Sequence, residues 1–161
     1  MTTDPGAHVP DGSPDRAYPG AGDLRIPAKF RDAIVAHARD DAPRECCGLL
    51  AGQPGDLDLS TPGVELLRLT NAAPGLDFYE IDANDLFRVT RELDDTGRDI
   101  VAIYHSHPTG PARPSVTDID LAFWPEAWYL IVSLDDPERP DLRAFRIVDG
   151  AVSEARIELV A

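Results

Sequence analysis

Residues 100 to 118 admit few local folds. Ile100-Val-Ala-Ile-Tyr104 is a β-branched and aromatic run of the kind that forms a buried strand. Ser115-Val-Thr-Asp118 has the form of a helix-opening capping box, with Asp in place of Glu. Between them two histidines, His105 and His107, leave the strand, and an aspartate, Asp118, enters the helix. Side chains alternate along a strand, so His105 and His107 project to one side and Ser106 to the other. Two imidazoles on one face, met by a carboxylate from the first turn of the next helix, are three convergent ligands for a borderline metal. A catalytic zinc site has such a protein half and keeps its fourth position open for water. Taken singly, a strand-end histidine is a polar terminus and Ser-x-x-Asp is a helix cap; their conjunction at this spacing points to a functional site. Pro108, Pro111 and Pro114 restrict the connecting loop and reduce the entropy lost when the ligands converge.

The rest of the chain supplies a frame for that unit. Residues 1–22 are rich in Pro, Gly, Asp and Ala and nearly devoid of large apolar side chains, which predicts a disordered tail ahead of one domain over 23–161. Leu24-Arg-Ile26 starts a strand, and Pro27 suits the first turn of a helix whose Phe30, Ile34, Val35 and Ala38 share a face, ended by Pro43. Glu45 heads a short apolar run, Cys46 to Ala51, that reads as a core strand; its carboxylate is either a solvated strand end or a group held over a cleft. Val64 to Thr70 pairs with that run as a hairpin, and Asn71 to Asp77 is a loop. Phe78 to Ile81 reads as a short strand. Asp82 caps a helix with Leu86, Val89 and Leu93 as its buried stripe, stopped at Gly97. Beyond Asp118 the helix is expected to run past Leu121 and Phe123 to a break at Pro125. Trp128 to Leu134 is a strand, Leu142 to Val148 a half-buried one, and Asp149-Gly150 turns the chain into a last strand over Val152 to Val160. The expected class is α/β, a mixed central sheet with about three helices.

Composition excludes several functions. A length of 161 residues is one domain's worth, and the formal charge of −14 with a single lysine, Lys29, opposes nucleic-acid and anionic-membrane partners. There is no secretory signal pattern and no apolar stretch of membrane-spanning length, so the cytoplasm is expected. Cys46 and Cys47 are the only cysteines and are adjacent, too close along the chain for ordinary disulfide geometry. They read as reduced core residues, with a lesser alternative in which one thiol closes the metal site as a fourth ligand.

His105-Ser-His-Pro108 followed after six residues by Ser115-x-x-Asp118, with Glu45 far upstream at a strand head, resembles the signature of the JAMM (MPN+) zinc metalloproteases. The chain's length, Glu45-Cys-Cys-Gly48, Asn71 with Phe78-Tyr-Glu-Ile-Asp82, and Leu142 to Ile147 are similar to the bacterial Mec-type branch of that family. The resemblance covers about residues 23–161 and implies a cytidine-deaminase-like JAMM/MPN fold. It implies one Zn2+ per chain on His105, His107 and Asp118, with Glu45 as general base and Ser115 donating to the oxyanion. The implied partner is a small ubiquitin-like sulfur-carrier protein with a Gly-Gly tail, from whose C-terminus an attached cysteine is released. The same chemistry applied to isopeptide bonds on lysines of modified proteins is the alternative, and a non-catalytic scaffold is opposed by the complete ligand set. Phe78 and Tyr79 are candidates for the groove that receives the tail, against plain core packing.

Overall fold

A computed structural model of the protein describes residues 17–161. Most of the tail expected over residues 1–22 therefore lies outside the described residues. The first strand, β1 (Gly20–Pro27), begins ahead of the residue-23 boundary. It is followed by α1 (Ala28–Asp41), β2 (Cys47–Gly52), β3 (Glu65–Leu69), α2 (Ala83–Thr96), β4 (Asp99–His107), α3 (Val116–Asp120), β5 (Trp128–Ser133), β6 (Asp141–Val148) and β7 (Ala151–Val160).

The seven strands form one sheet in the order β1-β7-β6-β5-β4-β2-β3. It is mixed: β1 runs parallel to β7 and β4 parallel to β5, while the other neighbours are antiparallel. The expected α/β class with three helices is the observed one, and β2 and β3 form the expected hairpin. Local chemistry explains the ends of the elements. Asp82 Oδ1 accepts from the N–H groups of Asn84 and Asp85, both at 3.0 Å, which caps α2; such caps contribute about 1 kcal/mol. Gly97 closes α2 at φ 66°, where a side chain would be strained. Asp149 (φ 50°) and Gly150 (φ 77°) both take the positive φ that a tight hairpin turn demands.

Both faces of the sheet are covered, and that overturns one expectation. On one face, α1 buries Phe30, Ile34, Val35 and Ala38 against Leu50, Tyr104, Leu130 and Ala144. On the other, Val89 and Leu93 of α2 pack with Leu49, Ile103, Tyr129, Phe145 and Ile147. Ala144 thus joins the cluster on the α1 side while Phe145 and Ile147 join the other, so β6 buries residues on both faces instead of one, although Arg143 is exposed and Arg146 only half-buried, as a half-buried strand would have them. Two other elements differ. Phe78 to Ile81 is not a strand: only Ile81 forms a bridge, to Asn71. Helix α3 stops at Asp120; beyond it Ala122 and Trp124 pack on the core while Leu121 and Phe123 are exposed, an alternation with the period of extended chain and not of helix.

Strand β4 is central to the site. Its pairing with β2 shifts where Leu50 faces Ala102 and Ala51 faces Ile100, leaving Val101 as an extra residue. The bulge puts Val101, Ala102 and Tyr104 on the α1 face and returns Ile103 to the α2 face. Strand alternation carries His105 and His107 along with Ile103. Tyr104 lies across Gly48, where an added Cβ would fall 2.3 Å from its ring, so only glycine lets β2 pass. The Tyr104 hydroxyl is 2.7 Å from Nδ1 of buried His37, whose Nε2 meets Asp41 at 3.3 Å.

Candidate metal centre and active site

Strand β4 delivers His105 and His107 at its C-terminal end, and the loop 108–114 turns the chain so that α3 returns Asp118. His105 Nε2 and His107 Nε2 are 3.2 Å apart, and each lies 3.1 Å from Asp118 Oδ2. A tetrahedral zinc with bonds of about 2.0–2.1 Å has ligand atoms roughly 3.3–3.4 Å apart, so this triangle is close to the face of such a polyhedron. Glu45 joins it: one ligand atom from each of Glu45, His105, His107 and Asp118 lies within 4.8 Å of all the others.

The donor chemistry fits a cation. His107 Nδ1 is 2.8 Å from the carbonyl oxygen of Pro111, which can only accept, so that nitrogen carries the proton and Nε2 presents a lone pair. Tyr79 stacks on His105 with ring centroids 4.4 Å apart and planes at 24°, fixing the second imidazole. Asp118 is oriented by a reciprocal capping box: its Oδ2 accepts from the Ser115 N–H at 2.9 Å, and its own N–H donates to Ser115 Oγ at 3.0 Å. Burial pushes the Asp118 carboxyl up, but His105, hydrogen bonds from both imidazoles and the Ser115 N–H outweigh it and hold the group well below the usual carboxylate range. For His107 burial pulls downward and is outweighed by the bonds to Asp118 and the Pro111 carbonyl, which raise it. A metal ion and a proton therefore compete for the same nitrogen.

Glu45 is 4 % exposed, and its Oε1 has no hydrogen-bond partner among the described residues. Desolvation pushes its carboxyl above the ordinary range, the two imidazoles oppose this, and Asp118 and Asp77 add to it. Of the two sequence alternatives, a solvated strand end or a carboxylate over a cleft, the second is the observed one. Its backbone is tied down on both sides. Asn71 Nδ2 donates to the Glu45 carbonyl at 2.9 Å, and the Cys46 N–H donates to Ser106 Oγ at 2.8 Å. Ser106 thus points away from the histidines, as expected, and clamps the head of β2 to β4.

Cys46 and Cys47 are both free and buried, and neither belongs to the cluster of metal-capable groups. Burial pushes each thiol up to about 12. The fourth-ligand alternative is therefore set aside; Cys46 and Cys47 are core residues on opposite faces of the sheet.

Three openings among the described residues border the cluster. One, of about 360 Å³, is lined by Glu45 with His37, Asp41, Arg44 and Asn71. A cleft of about 440 Å³ is lined by Glu45, His107 and Ser115 together with Leu76, Asp77, the loop 108–111, Arg113 and Pro114. An apolar groove of about 340 Å³ is lined by Phe78, Tyr79, Ile81, Leu86, Phe123 and Trp124. Phe78 and Tyr79 line this groove, and Tyr79 stacks on His105 of the metal-capable cluster. Sequence reasoning assigned no role to Asn71, whose Oδ1 also accepts from the Ala73 and Glu80 N–H groups and so joins Glu45 to the Phe78–Glu80 segment. It also passed over the Pro111 carbonyl, because backbone acceptors leave no trace in composition.

Residues 27–148 match the model of the prokaryotic homologs of the JAB domain. The chain belongs to this JAB/MPN family. Among its relatives, the CysO-cysteine peptidase of Mycobacterium tuberculosis is 44 % identical over 137 residues, covering 85 % of this chain and 91 % of that one. The desampylase of Haloferax volcanii is 38 % identical over 116 residues, covering 70 % and 81 %. A solution structure from Desulfitobacterium hafniense superposes with a TM-score of 0.71 at 32 % identity, covering 85 % of this chain and 92 % of that one.

Proposed function

We propose that the protein is a zinc-dependent peptidase acting on conjugates of a small ubiquitin-like sulfur-carrier protein. It hydrolyses the bond between the carrier's Gly-Gly tail and an attached cysteine, releasing free cysteine. The observation that carries this reading is the triangle of His105 Nε2, His107 Nε2 and Asp118 Oδ2 with Glu45 beside it, in a chain 44 % identical to a CysO-cysteine peptidase.

His105, His107 and Asp118 would hold the ion. Zinc in such a site supplies Lewis-acid polarisation of the scissile carbonyl and makes water acidic enough to act as a nucleophile near neutral pH. Glu45, desolvated and with Oε1 unpartnered among the described residues, takes a proton from the attacking water and hands it to the departing amine, a role typically contributing about 10²–10⁴-fold. Ser115 accepts the Asp118 N–H with one lone pair, which leaves its hydroxyl proton to donate to the developing oxyanion. One such donor is worth about 3 kcal/mol in the transition state. Tyr79 holds His105 in place, and with Phe78 it walls the apolar groove in which an extended tail would lie. Two adjacent free thiols suit a reducing compartment, so we assign the protein to the cytoplasm. No helix among the described residues is long and apolar enough to cross a membrane.

The test is incubation of the zinc-loaded protein with a carrier–cysteine adduct, following cysteine release by mass spectrometry. Release at a catalytic rate is expected; none with zinc supplied overturns the assignment. A second reading, removal of a ubiquitin-like modifier from lysines, is favoured by the likeness to a desampylase, and cleavage of an isopeptide conjugate in preference to the cysteine adduct would support it.

A further inference from the structure

Glu45 comes to the metal cluster from the head of β2 and His105 from the end of β4, and one buried side chain ties together the segments that place them. Asn71 is only 8 % exposed. Its Nδ2 donates to the Glu45 carbonyl at 2.9 Å, and its Oδ1 accepts the N–H groups of Ala73 at 2.9 Å and Glu80 at 3.0 Å. The bond to Ala73 is a local turn, and a residue needed for the loop alone would stop there. The other two bonds reach across 26 and 9 residues of sequence. The second is reinforced by the Ala72 N–H, which donates to the Glu80 carbonyl at 2.7 Å, and by the bridge between Asn71 and Ile81. Next to Glu80 stands Tyr79, stacked on His105 at 4.4 Å between centroids.

We propose that Asn71 is a positioning residue for the hydrolysis: its donor arm sets the base Glu45, and its acceptor arm, through Tyr79, sets the ligand His105. The inference rests on the peptidase reading above. Glu45 Oε1 has no hydrogen-bond partner among the described residues, so the direction of its carboxylate depends on where its backbone is held. The Glu45 carbonyl and the Cys46 N–H belong to one peptide unit, which is gripped at both ends, by Asn71 Nδ2 and by Ser106 Oγ. Arg44 in turn donates to the carbonyls of Asn71 and Ala73 and holds the loop that carries the amide. A base and a metal ligand fixed to the same side chain keep their separation through turnover, and a misplacement of about 1 Å can cost on the order of 10²-fold in rate.

Two substitutions separate the arms. Asn71→Asp keeps an oxygen for the Ala73 and Glu80 N–H groups and removes the donor to the Glu45 carbonyl; Asn71→Ala removes both arms. Zinc affinity is measured by competition with a chromogenic chelator, and hydrolysis of a carrier–cysteine adduct is expressed per bound zinc on the plateau of its pH profile, so that a change in folded fraction cancels. Asn71→Asp should bind zinc like wild type and lose roughly 10- to 100-fold in kcat with KM little changed. Asn71→Ala should also weaken zinc binding by about 10-fold, as loss of support behind a ligand does. Placed in the Glu45→Gln background, Asn71→Asp should lower turnover no further, because the group it positions no longer acts as base. Wild-type kcat in Asn71→Asp, or an equal loss with and without Glu45, overturns the donor arm; wild-type zinc affinity in Asn71→Ala overturns the acceptor arm. A side chain that only stabilises its loop gives both of those results with a lowered melting temperature. A wild type that hydrolyses neither the cysteine adduct nor an isopeptide conjugate overturns the peptidase reading and the donor arm with it, and the zinc affinity of Asn71→Ala then decides the acceptor arm by itself.

Discussion

Glu45 is a buried carboxylate with one oxygen unpartnered, and such a group is destabilising when ionised. Its folded-state pKa is raised above the 4.5 of the free group. The folded protein then binds the proton more tightly than the unfolded chain, and the stability this confers is present below about pH 4.5 and is lost as pH rises through the folded value. Glu45→Gln should therefore melt higher than wild type at neutral pH in the metal-free form, with the gap closing in acid, as followed by circular dichroism. The same variant should retain zinc by elemental analysis and lose about 10²–10⁴ in turnover; unchanged turnover rejects the base assignment. Ser115→Ala should show two separable effects, about 1 kcal/mol of stability from the lost cap and on the order of 10²–10³ in kcat from the lost donor. A melt together with steady-state kinetics distinguishes them. The convergence of His105, His107 and Asp118 was legible in the sequence because strand alternation and a capping box fix where they point. Asn71 and the Pro111 carbonyl were not, since their roles depend on loops whose approach no local pattern encodes.

At the scale of elements, close packing around β4 limits substitution. Gly48→Ala would drive a methyl group into the Tyr104 ring, and overpacking of this kind costs about 1–3 kcal/mol. Chemical denaturation should show that loss, and an unchanged midpoint would mean that the ring can move aside. Tyr104→Phe should cost about 1–3 kcal/mol for a different reason, because it leaves Nδ1 of buried His37 without its hydroxyl partner. The strands and the two long helices were legible because each has a clear apolar period and a recognisable cap or breaker. The errors have physical sources. Strand β6 alternates by residue type, yet Ala144 joins the cluster on the α1 side of the sheet and Phe145 and Ile147 the cluster on the other, so its middle is buried on both faces while Arg143 stays exposed. The apolar residues after Asp118 suggested a longer helix, yet Ala122 and Trp124 pack on the core while Leu121 and Phe123 remain exposed, as in extended chain.

Across the whole molecule, the site draws on strand β4, helix α3, the head of β2 and the loop carrying Asn71, joined by contacts distant in sequence. Assembly of the sheet brings Glu45 to the histidines: Cys47 pairs with His105, and Ser106 bonds the Cys46 backbone. Zinc binding should stabilise this assembly by about 2.7 kcal/mol at a free concentration one hundred times Kd, so chelation should lower the melting temperature. Because His107 is raised in the metal-free protein, zinc affinity should fall as pH drops through its titration, which competition with a chromogenic chelator would measure. One oxygen, Asp118 Oδ2, faces both imidazoles and also accepts the Ser115 N–H that starts a helix of only five residues. An ion held at that atom would therefore also brace the helix: a chain lacking it should exchange the amide hydrogens of residues 115–120 faster than a loaded one and be nicked there sooner by an added protease.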